Sequence, residues 1–258
     1  MSEGTPHPPL PWVESHSPLP SVDKAWGSNS DAPGLLAAGA DLGVDRLLEA
    51  YSQGIFPWFN SEQPVLWWSP DPRMVLQIAS FKLHRSLRKT LSRYAAHPQF
   101  ELCFDRSFDQ VIEACAQSPR EGQKGTWIVP QMVGAYKALH QAGFAHSAET
   151  WLEGQLVAGL YFVCIGKAVF GESMFSTISD GSKMALAALV HVCEQQGIPA
   201  IDCQQNTAHL ALMGAQEMPR RAFLDLIQPA LKADALPWKS LQVDWDAWRS
   251  KAPGQGVI

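Results

Sequence analysis

Three β-strands are predicted by the segment HSAETWLEGQLVAGLYFVCIGKAVFGESMF, which runs from His146 to Phe175. Apolar, β-branched and aromatic residues fill three runs within it. The pairs Glu153-Gly154 and Gly166-Lys167 fall where tight turns would separate these runs. The segment therefore predicts an antiparallel meander.

A helix and a further strand follow the meander. Asp180 has the residue type of a helix N-cap, and Gly197 suits the end of that helix. The run from Ile198 to Cys203 then predicts a short strand. Because strand–helix–strand connections of this length form right-handed crossovers, this strand should lie parallel to an earlier one. The predicted fold class is therefore mixed, α+β or α/β, with a mixed sheet.

The residues before the meander suggest how the chain is divided. Residues 1–34 are rich in proline and serine and predict an extended arm, with Trp12 and Trp26 as anchors. Residues 35–74 predict a small N-terminal domain, and residues 75–258 predict a larger domain.

Four helices are predicted before the meander, each from apolar residues at helical spacing. They lie at Val44–Ser52, from Ser80 to about Tyr94, after Ser107 (with Gln110 at the capping-box spacing), and from Pro130 to Gly143. In the second of these helices, Leu83, Leu87 and Leu91 would face the core. Tyr51 lies on the apolar face of the first helix, and Tyr136 lies on that of the fourth.

The outer face of that second helix is basic, and its residues are Lys82, Arg85, Arg88, Lys89 and Arg93. Like charges without acidic partners destabilise a helix slightly. This face is therefore either a solvated surface or a surface that binds phosphate. The tryptophans Trp58, Trp67, Trp68 and Trp127 are candidates for the core, or for stacking on a nucleobase.

Composition narrows the class of protein. The chain has 258 residues, enough to bury a core without disulfides. Its five cysteines are scattered and never spaced C-x-x-C, which fits a reducing cytosol better than a disulfide framework or a zinc site. Neither a signal peptide nor a membrane span is expected. The net charge of −5 argues against a broad nucleic-acid-binding coat but is compatible with a local basic patch.

Polar residues come directly after the last predicted strand, in IDCQQNTAHLALMGAQEMPRR from Ile201 to Arg221. Cys203 and His209 have the residue types of a nucleophile and its base. The neighbouring Asp202 would raise the pKa of that thiol, however, so a buried structural cysteine is favoured. Asp202, His209 and Glu217 have no recognised metal-ligand spacing, and no metal is expected.

Three polar groups are expected to converge at one end of the sheet. Asp202 and Gln204 lie two residues apart on a strand and so share a face. Glu172 comes near the end of the third meander strand. A group of this kind can bind and orient an amine or an ester without containing a nucleophile.

Six stretches, in order and with matching spacing, resemble the leucyl/phenylalanyl-tRNA–protein transferases of bacteria. They are Gly54–Phe59 (GIFPWF), Trp67–Arg73 (WWSPDPR), Gly125–Ile128 (GTWI), Gly171–Ser176 (GESMFS), Ser182-Lys183, and Ile201–Gln204 (IDCQ) continuing to Pro219–Arg221 (PRR). The resemblance extends from about Leu35 to Phe223.

The resemblance implies a cytoplasmic enzyme that needs no cofactor. Such an enzyme transfers leucine or phenylalanine, with methionine as a further candidate, from aminoacyl-tRNA to the N-terminal arginine or lysine of a protein. The added residue marks that protein for degradation. The resemblance also implies a catalytic domain similar to the acetyltransferase (GNAT) fold, next to a small N-terminal domain.

By the same resemblance, Asp202, Gln204 and Glu172 are the expected catalytic residues. Substrate binding is expected from Trp58 and Trp127 near the terminal adenosine, and from Ser173, Leu160 and Leu186. The basic residues Lys82, Arg85, Arg88, Lys89 and Arg93 are expected to bind tRNA.

The expected chemistry is direct attack of an amine on the ester, because an aminoacyl ester is already activated and needs mainly positioning. We expect Asp202 to hold the attacking α-amino group, and Gln204 to hydrogen-bond the ester or the Asp202 carboxylate. Together with Glu172 and Glu149, Asp202 would form an acidic site that accepts an N-terminal arginine or lysine and rejects aspartate.

The sequence departs from the family pattern at three positions, and two alternatives remain. Ala158 and Phe162 stand where glycines are usual, and Leu212 stands where serine is common. One alternative is an acyl-CoA-dependent N-acetyltransferase, although Ser176–Lys183 holds only Gly181 and lacks a glycine-rich pyrophosphate loop. The other is a non-catalytic tRNA- or peptide-binding module, which gives no reason for the three polar groups to converge.

Overall fold

The computed structural model describes residues 8–118 and 128–244, whose strands form two mixed sheets. The small sheet has the order β1-β2-β4-β3, with β1 Trp12–Val13, β2 Leu35–Gly39, β3 Phe56–Pro57 and β4 Leu66–Trp68. The large sheet has the order β11-β5-β10-β9-β8-β7-β6. Its strands are β5 Arg73–Gln77, β6 Phe100–Phe104, β7 Ala145–Leu152, β8 Gln155–Ile165, β9 Ala168–Ser176, β10 Ala200–Gln204 and β11 Gln216–Met218.

Seven α-helices occur in the described ranges. They are α1 Val44–Ser52, α2 Arg85–Ala95, α3 Phe108–Gln117, α4 Pro130–Gln141, α5 Gly181–Gln195, α6 Ala208–Leu212 and α7 Arg220–Leu231. Short 3-10 turns cover Val22–Lys24, Ile78–Ser80 and Trp238–Ser240. Within the same ranges, no helix has the length and apolar content needed to cross a bilayer.

The predicted meander is confirmed, because β7, β8 and β9 pair antiparallel in that order. Helix α5 then leads to β10, which lies parallel to β9 with Asp202 opposite Phe170. The predicted mixed class and the parallel final strand are therefore both confirmed. Strands β9 and β10, which carry the candidate site, lie in the middle of the large sheet.

Helices cover both faces of the large sheet. On one face, α3 and α4 share a hydrophobic core with Tyr161 and Val163 of β8. On the other face, α5 shares a core with Leu160 and Phe162 of the same strand. Because successive strand residues point to opposite faces, alternate side chains of β8 contribute to the two cores.

The proline-rich N-terminal segment contributes to the small sheet. Strand β1 lies within the segment expected to be an arm and pairs in parallel with β2. Val13 and Leu19 are buried, whereas the Trp12 side chain is 63% exposed. Trp26 is partly buried against the core. The large sheet begins with β5 at Arg73.

The start of the second helix was predicted wrongly. Helix α2 begins at Arg85, and Ser80 instead ends a 3-10 turn. Between them the chain is extended, because the Lys82 backbone N–H donates to the Met213 carbonyl at 2.9 Å and this holds the segment away from helical geometry. Lys82 therefore precedes α2 rather than lying on it.

Two predicted caps are not formed by the expected side chains. Asp180 precedes α5 with φ of 61°, and its carboxylate binds Lys183 Nζ (2.7 Å) and Thr90 Oγ1 (3.2 Å) instead of capping the helix. Ser107 precedes α3 without a side-chain cap. Its backbone N–H donates to Glu149 Oε1 at 2.8 Å, so a residue of β7 takes the acceptor role that a capping box would give to Gln110.

Candidate active site

Two β-bulges position the polar residues of β9 and β10. Tyr161 lies opposite Ser173 and Phe162 lies opposite Gly171, so Glu172 is the additional residue of one bulge. The pairing of β10 with β5 shifts between Asp202 and Gln204, and Gln204 has a left-handed φ of 61°. Bulges of this kind redirect side chains out of the regular alternation of a strand.

Asp202 forms a buried ion pair with Arg73 of β5. Arg73 Nε donates to Asp202 Oδ1 at 2.8 Å, and Arg73 Nη2 donates to Oδ2 at 2.6 Å. Both side chains are fully buried. The Gln204 backbone N–H also donates to Asp202 Oδ1, at 2.9 Å. Asp202 thus fixes the left-handed turn at Gln204.

Arg73 is itself held by groups from three parts of the chain. Its guanidinium lies 4.9 Å from the ring centres of both Phe56 and Phe223. Its Nη1 donates to the Gly54 carbonyl at 3.0 Å. Gly54 has φ of 70°, and a Cβ there would lie 2.7 Å from Leu224 Cδ2, so glycine suits this close approach. The ion pair therefore connects β3, β10 and α7.

Gln204 and Glu172 form the next part of the site. Gln204 Nε2 donates to Glu172 Oε1 at 2.8 Å. The same oxygen accepts from Tyr51 of α1 at 2.6 Å, and Oε2 accepts from Tyr136 of α4 at 3.1 Å. The two tyrosine hydroxyls also hydrogen-bond each other. The structure thus brings Asp202, Gln204 and Glu172 into one network, as expected, and adds both tyrosines to it.

The network indicates that Glu172 carries a proton near neutral pH. Three oxygen–oxygen contacts link Glu172, Tyr51 and Tyr136, but the two phenols supply only two protons. A proton on Glu172 Oε2 supplies the third: in that state Oε2 donates to the Tyr136 oxygen, and the Tyr136 hydroxyl donates to Tyr51. Burial raises the pKa of Glu172 to about 8, with Asp202 acting in the same direction and its hydrogen-bond donors acting against it. A cation that binds beside this carboxyl would favour loss of that proton.

Glu172 should therefore make stability depend on pH. Its pKa is raised on folding, from 4.5 to about 8, so between these values the folded chain holds a proton that the unfolded chain has lost. The free energy of unfolding should then fall as pH rises through this window, by up to about 1.4 kcal/mol per pH unit. Glu172→Gln removes this contribution. We expect denaturant unfolding at pH 5.5, 6.5 and 7.5 to show that the free energy of unfolding of the variant rises relative to that of the wild type as pH increases. The same pH dependence in both proteins would contradict the assignment.

A cavity of about 670 Å³ opens beside Glu172. Its apolar lining includes Leu160, Met174, Leu186, Leu189, Ile201 and Leu210. Its polar lining includes Glu172, Ser173 and His209. The predicted substrate-binding residues Ser173, Leu160 and Leu186 therefore meet in one cavity with Glu172. Neither Ala158 nor Phe162 lines it, although Leu160 lies between them, and Leu212 is 66% exposed.

Cys203 lines the same cavity but is a poor nucleophile. Burial, together with the Asp202 carboxylate, raises the pKa of its thiol to about 12. Its Sγ lies 3.7 Å from the Ile201 carbonyl oxygen, an acceptor for the thiol proton. The thiolate required for attack is therefore scarce at neutral pH.

Several predicted residues lie elsewhere. Asp202 is 1% exposed and does not line the cavity, so it offers no accessible oxygen to an amine in this structure. Glu149 is buried and accepts hydrogen bonds from Ser107, Ser147 and Trp151. Of the three carboxylates expected to form an acidic site, only Glu172 lines the cavity.

The predicted adenosine site is only partly described. Trp58 is partly buried, with its ring packed edge-on against Trp68 at 5.3 Å, and it does not line the cavity. Trp127 lies outside the described residues, so the structure gives no position for it.

The basic surface around α2 is largely unpaired. Lys82, Arg85, Lys89 and Arg93 are exposed. None of these four forms an ion pair with any residue in 8–118 or 128–244. Arg88 is partly buried on the same helix. We call these five residues the α2 basic surface.

One group of possible metal ligands occurs in the described part of the chain, formed by Asp105, His140 and His146. His146 Nδ1 lies 2.7 Å from Asp105 Oδ2, and His140 Nδ1 lies 2.7 Å from the Ala145 carbonyl. None of these residues belongs to the network around Glu172.

Comparison with known proteins decides the family. The family model described as leucyl/phenylalanyl-tRNA protein transferase matches residues 75–228, and the model of the corresponding N-terminal domain matches residues 40–71. The chain belongs to the leucyl/phenylalanyl-tRNA–protein transferase family. The resemblance seen in the sequence motifs is thereby confirmed.

Relatives within this family are similar over nearly their whole length. Leucyl/phenylalanyl-tRNA–protein transferases from Polaromonas sp. strain JS666 and from Albidiferax ferrireducens are each 55% identical to the chain. The alignments cover 92% and 90% of the chain, and 93% and 91% of the relatives. The alignment with a solved structure, L-PGS from Bacillus licheniformis, covers 64% of this chain and 51% of the L-PGS chain, with 12% identity and a TM-score of 0.36.

Sequence reasoning missed Arg73, Tyr51 and Tyr136 as members of the site. Arg73 opens the apolar run Met74–Leu76, and a charged residue in such a run must find a partner if the strand is buried. Tyr51 and Tyr136 were assigned correctly to apolar helix faces. A buried tyrosine usually finds a hydrogen-bond partner, and this was the available signal.

Proposed function

We propose that this chain transfers leucine or phenylalanine, with methionine as a third candidate donor, from aminoacyl-tRNA to the N-terminal arginine or lysine of proteins. The product carries one additional apolar residue at its N-terminus, which would serve as a degradation signal. The proposed location is the cytoplasm, where aminoacyl-tRNA is found. Membership of the family supports the reaction class.

The observation that carries the proposal is the combination of apolar and polar walls in one cavity. Leu160, Leu186 and their apolar neighbours suit a leucine or phenylalanine side chain, whose burial contributes about 1.5–3 kcal/mol. Glu172, held by hydrogen bonds with Tyr51, Tyr136 and Gln204, suits an amine beside that side chain. The two groups that must react would thus meet at the boundary between the walls.

We propose different roles for the three polar residues. Glu172 contacts and orients the reacting groups, and Gln204, which does not line the cavity, holds Glu172 through its Nε2. Asp202 acts through Gln204, since both of its oxygens are engaged by Arg73 and one also accepts the Gln204 N–H. This differs from the expectation that Asp202 holds the amine. It retains Asp202 as a residue on which the geometry of the site depends.

The proposed step is direct aminolysis. The amine nitrogen attacks the ester carbonyl carbon, the C–N bond forms, and the bond from that carbon to the ribose oxygen breaks. The proton lost by the nitrogen ends on the ribose oxygen. Since the ester is already activated, positioning contributes most of the acceleration. A thioester on Cys203 would add a step and would need a thiolate that its raised pKa makes scarce.

We also propose an acetyltransferase-like (GNAT-like) fold for the larger domain and a tRNA-binding role for the α2 basic surface. The antiparallel pair β8–β9, the helix α5 and the parallel strand β10 support the first proposal. The unpaired charges of Lys82, Arg85, Lys89 and Arg93 support the second, because phosphates would supply the missing partners. Trp58 and Trp127 remain the proposed contacts of the terminal adenosine.

A transfer assay tests the proposed function directly. Labelled Leu-, Phe- and Met-tRNA are each offered with peptides that differ only in an N-terminal arginine, lysine or aspartate. We expect transfer of leucine and phenylalanine to the arginine and lysine peptides, at least about tenfold faster than to the aspartate peptide, a difference of about 1.4 kcal/mol. The physical reason is that a cationic residue beside Glu172 favours the ionised carboxylate and pairs with it, whereas an anionic residue gains no such partner.

The acceptor preference and the transfer activity can be contradicted independently of each other. Equal transfer to arginine and aspartate peptides would contradict the acceptor assignment. No transfer from any of the three aminoacyl-tRNAs to any peptide would contradict the activity itself.

A further inference from the structure

One buried nitrogen of the cavity lacks a partner within the described residues. His209 lies in the first turn of α6 and lines the cavity together with Glu172. Its Nε2 is buried and makes no hydrogen bond to residues 8–118 or 128–244. A buried polar atom without a partner costs about 1–3 kcal/mol. A substrate atom that pairs with Nε2 would remove this cost.

The surroundings of His209 favour a neutral imidazole. Burial lowers its pKa below the ordinary value of 6.5, and the Lys183 ammonium of α5 lowers it further. Asp180 acts in the opposite direction, but its carboxylate is paired with Lys183 at 2.7 Å. A neutral imidazole has one nitrogen that can accept a hydrogen bond or a proton. His209 can therefore act as an acceptor at neutral pH.

The other titratable groups around the cavity are poorer proton acceptors. Asp202 is engaged on both oxygens by Arg73. The raised pKa of Glu172 keeps it protonated near neutral pH, and the Cys203 thiol already holds its proton. On the outer side of α6, His84 Nε2 is bound to a backbone carbonyl at 2.7 Å. His209 is the remaining candidate among these groups.

We infer that His209 Nε2 contacts the attacking amine and takes up the proton that this amine loses during transfer. The inference rests on the proposed function. As the C–N bond forms, the proton passes from the amine nitrogen to Nε2. As the bond to the ribose oxygen breaks, that oxygen takes the proton and His209 is neutral again. General-base catalysis of this kind contributes about 10²–10⁴-fold.

The test compares the wild type with His209→Gln in single-turnover transfer between pH 5.5 and 8.5. Glutamine retains a hydrogen-bonding side chain but cannot titrate. We expect the ratio of the wild-type rate to the variant rate to be about 10² at pH 7.5. The ratio should fall about tenfold per pH unit below the pKa of His209, because the imidazole becomes protonated. The amine and Glu172 titrate in both proteins, so their ionisation cancels in the ratio.

Two further variants control for structural effects. His97→Gln is the matched control, since His97 Nε2 lies 3.5 Å from Glu153 at the surface, and its ratio should stay near one at every pH. His209→Ala should regain part of its activity when imidazole is added, with a midpoint of thermal unfolding close to that of the wild type.

The outcomes separate this inference from the proposed function. A wild type that transfers, with a His209→Gln ratio near one or independent of pH, overturns the inference and leaves the proposed function intact. A wild type that transfers nothing overturns the proposed function.

Discussion

Replacing Asp202 with alanine should reduce single-turnover transfer by at least about 10²-fold, the effect of losing one oriented electrostatic partner. The loss is expected even though Asp202 is buried away from the cavity. Without its carboxylate, the Gln204 backbone N–H has no acceptor, and the left-handed turn that aims Gln204 at Glu172 is no longer held. Rates at saturating donor and acceptor should fall more than apparent affinities, because the site is misaligned rather than removed.

The same substitution should also destabilise the fold. It leaves the Arg73 guanidinium buried between Phe56 and Phe223 without a counter-charge. Breaking a buried ion pair on one side typically costs about 3–5 kcal/mol. Stability and transfer must therefore be measured separately.

A double variant separates the two effects. In Arg73→Met with Asp202→Leu, no buried charge is left, and such replacements are often neutral or stabilising. We expect the double variant to regain stability relative to Asp202→Ala while transfer stays at least about 10²-fold below the wild type. Cys203→Ala, one residue away, is the control and should stay within a few-fold of the wild type. A folded Asp202→Ala chain with near wild-type transfer would show that the ion pair does not position the site.

Charge reversal on the α2 basic surface should weaken binding of aminoacyl-tRNA and flatten its salt dependence. Each phosphate contact adds about 0.7–0.9 to the slope of log affinity against log salt. Reversing both Arg85 and Lys89 to glutamate should therefore lower that slope by about 1.4–1.8. Both residues are exposed and form no ion pair with residues 8–118 or 128–244, so the fold should be unaffected.

The matched control carries the same change of charge elsewhere. Lys24, in the first 3-10 turn, and Lys232, directly after α7, are also exposed, and their reversal to glutamate should leave the slope unchanged. Transfer from a minimal aminoacyl-adenosine donor should be unaffected in both double variants, because that donor lacks the tRNA phosphates. An unchanged slope for the Arg85 and Lys89 variant would mean that this helix face is only a solvated surface.

Elements with local determinants were predicted well from the sequence. The meander from Ala145 to Ser176 follows from apolar runs and from turn residues that lie next to each other in the chain. The convergence of Glu172 and Asp202 followed from one topological rule, because the crossover through α5 makes β9 and β10 neighbours. The predicted start of α2 was wrong, because the backbone hydrogen bond from Lys82 to Met213 holds the segment after Ser80 in an extended conformation.

The partners of the site residues depend on long-range packing. Arg73 and Asp202 are 129 residues apart, and their pairing requires β5 to lie antiparallel to β10. Tyr51 and Tyr136 were recognised as buried, but their hydroxyl contacts with Glu172 depend on how α1 and α4 dock. Helical spacing predicted the burial of the two tyrosines, whereas the burial of the ion pair and the identity of every polar partner required the assembled fold.

The central claim, direct transfer without an aminoacyl-enzyme, is tested most directly by acid-quenched single turnover. Labelled Leu-tRNA is mixed with excess protein and an arginine-ended peptide, and the label on tRNA, peptide and protein is followed over time. We predict that label passes from tRNA to peptide with none bound covalently to the protein at any time, in the wild type and in Cys203→Ala alike. Label on the wild-type protein that rises before the peptide product, and that disappears in Cys203→Ala together with transfer, would contradict the account.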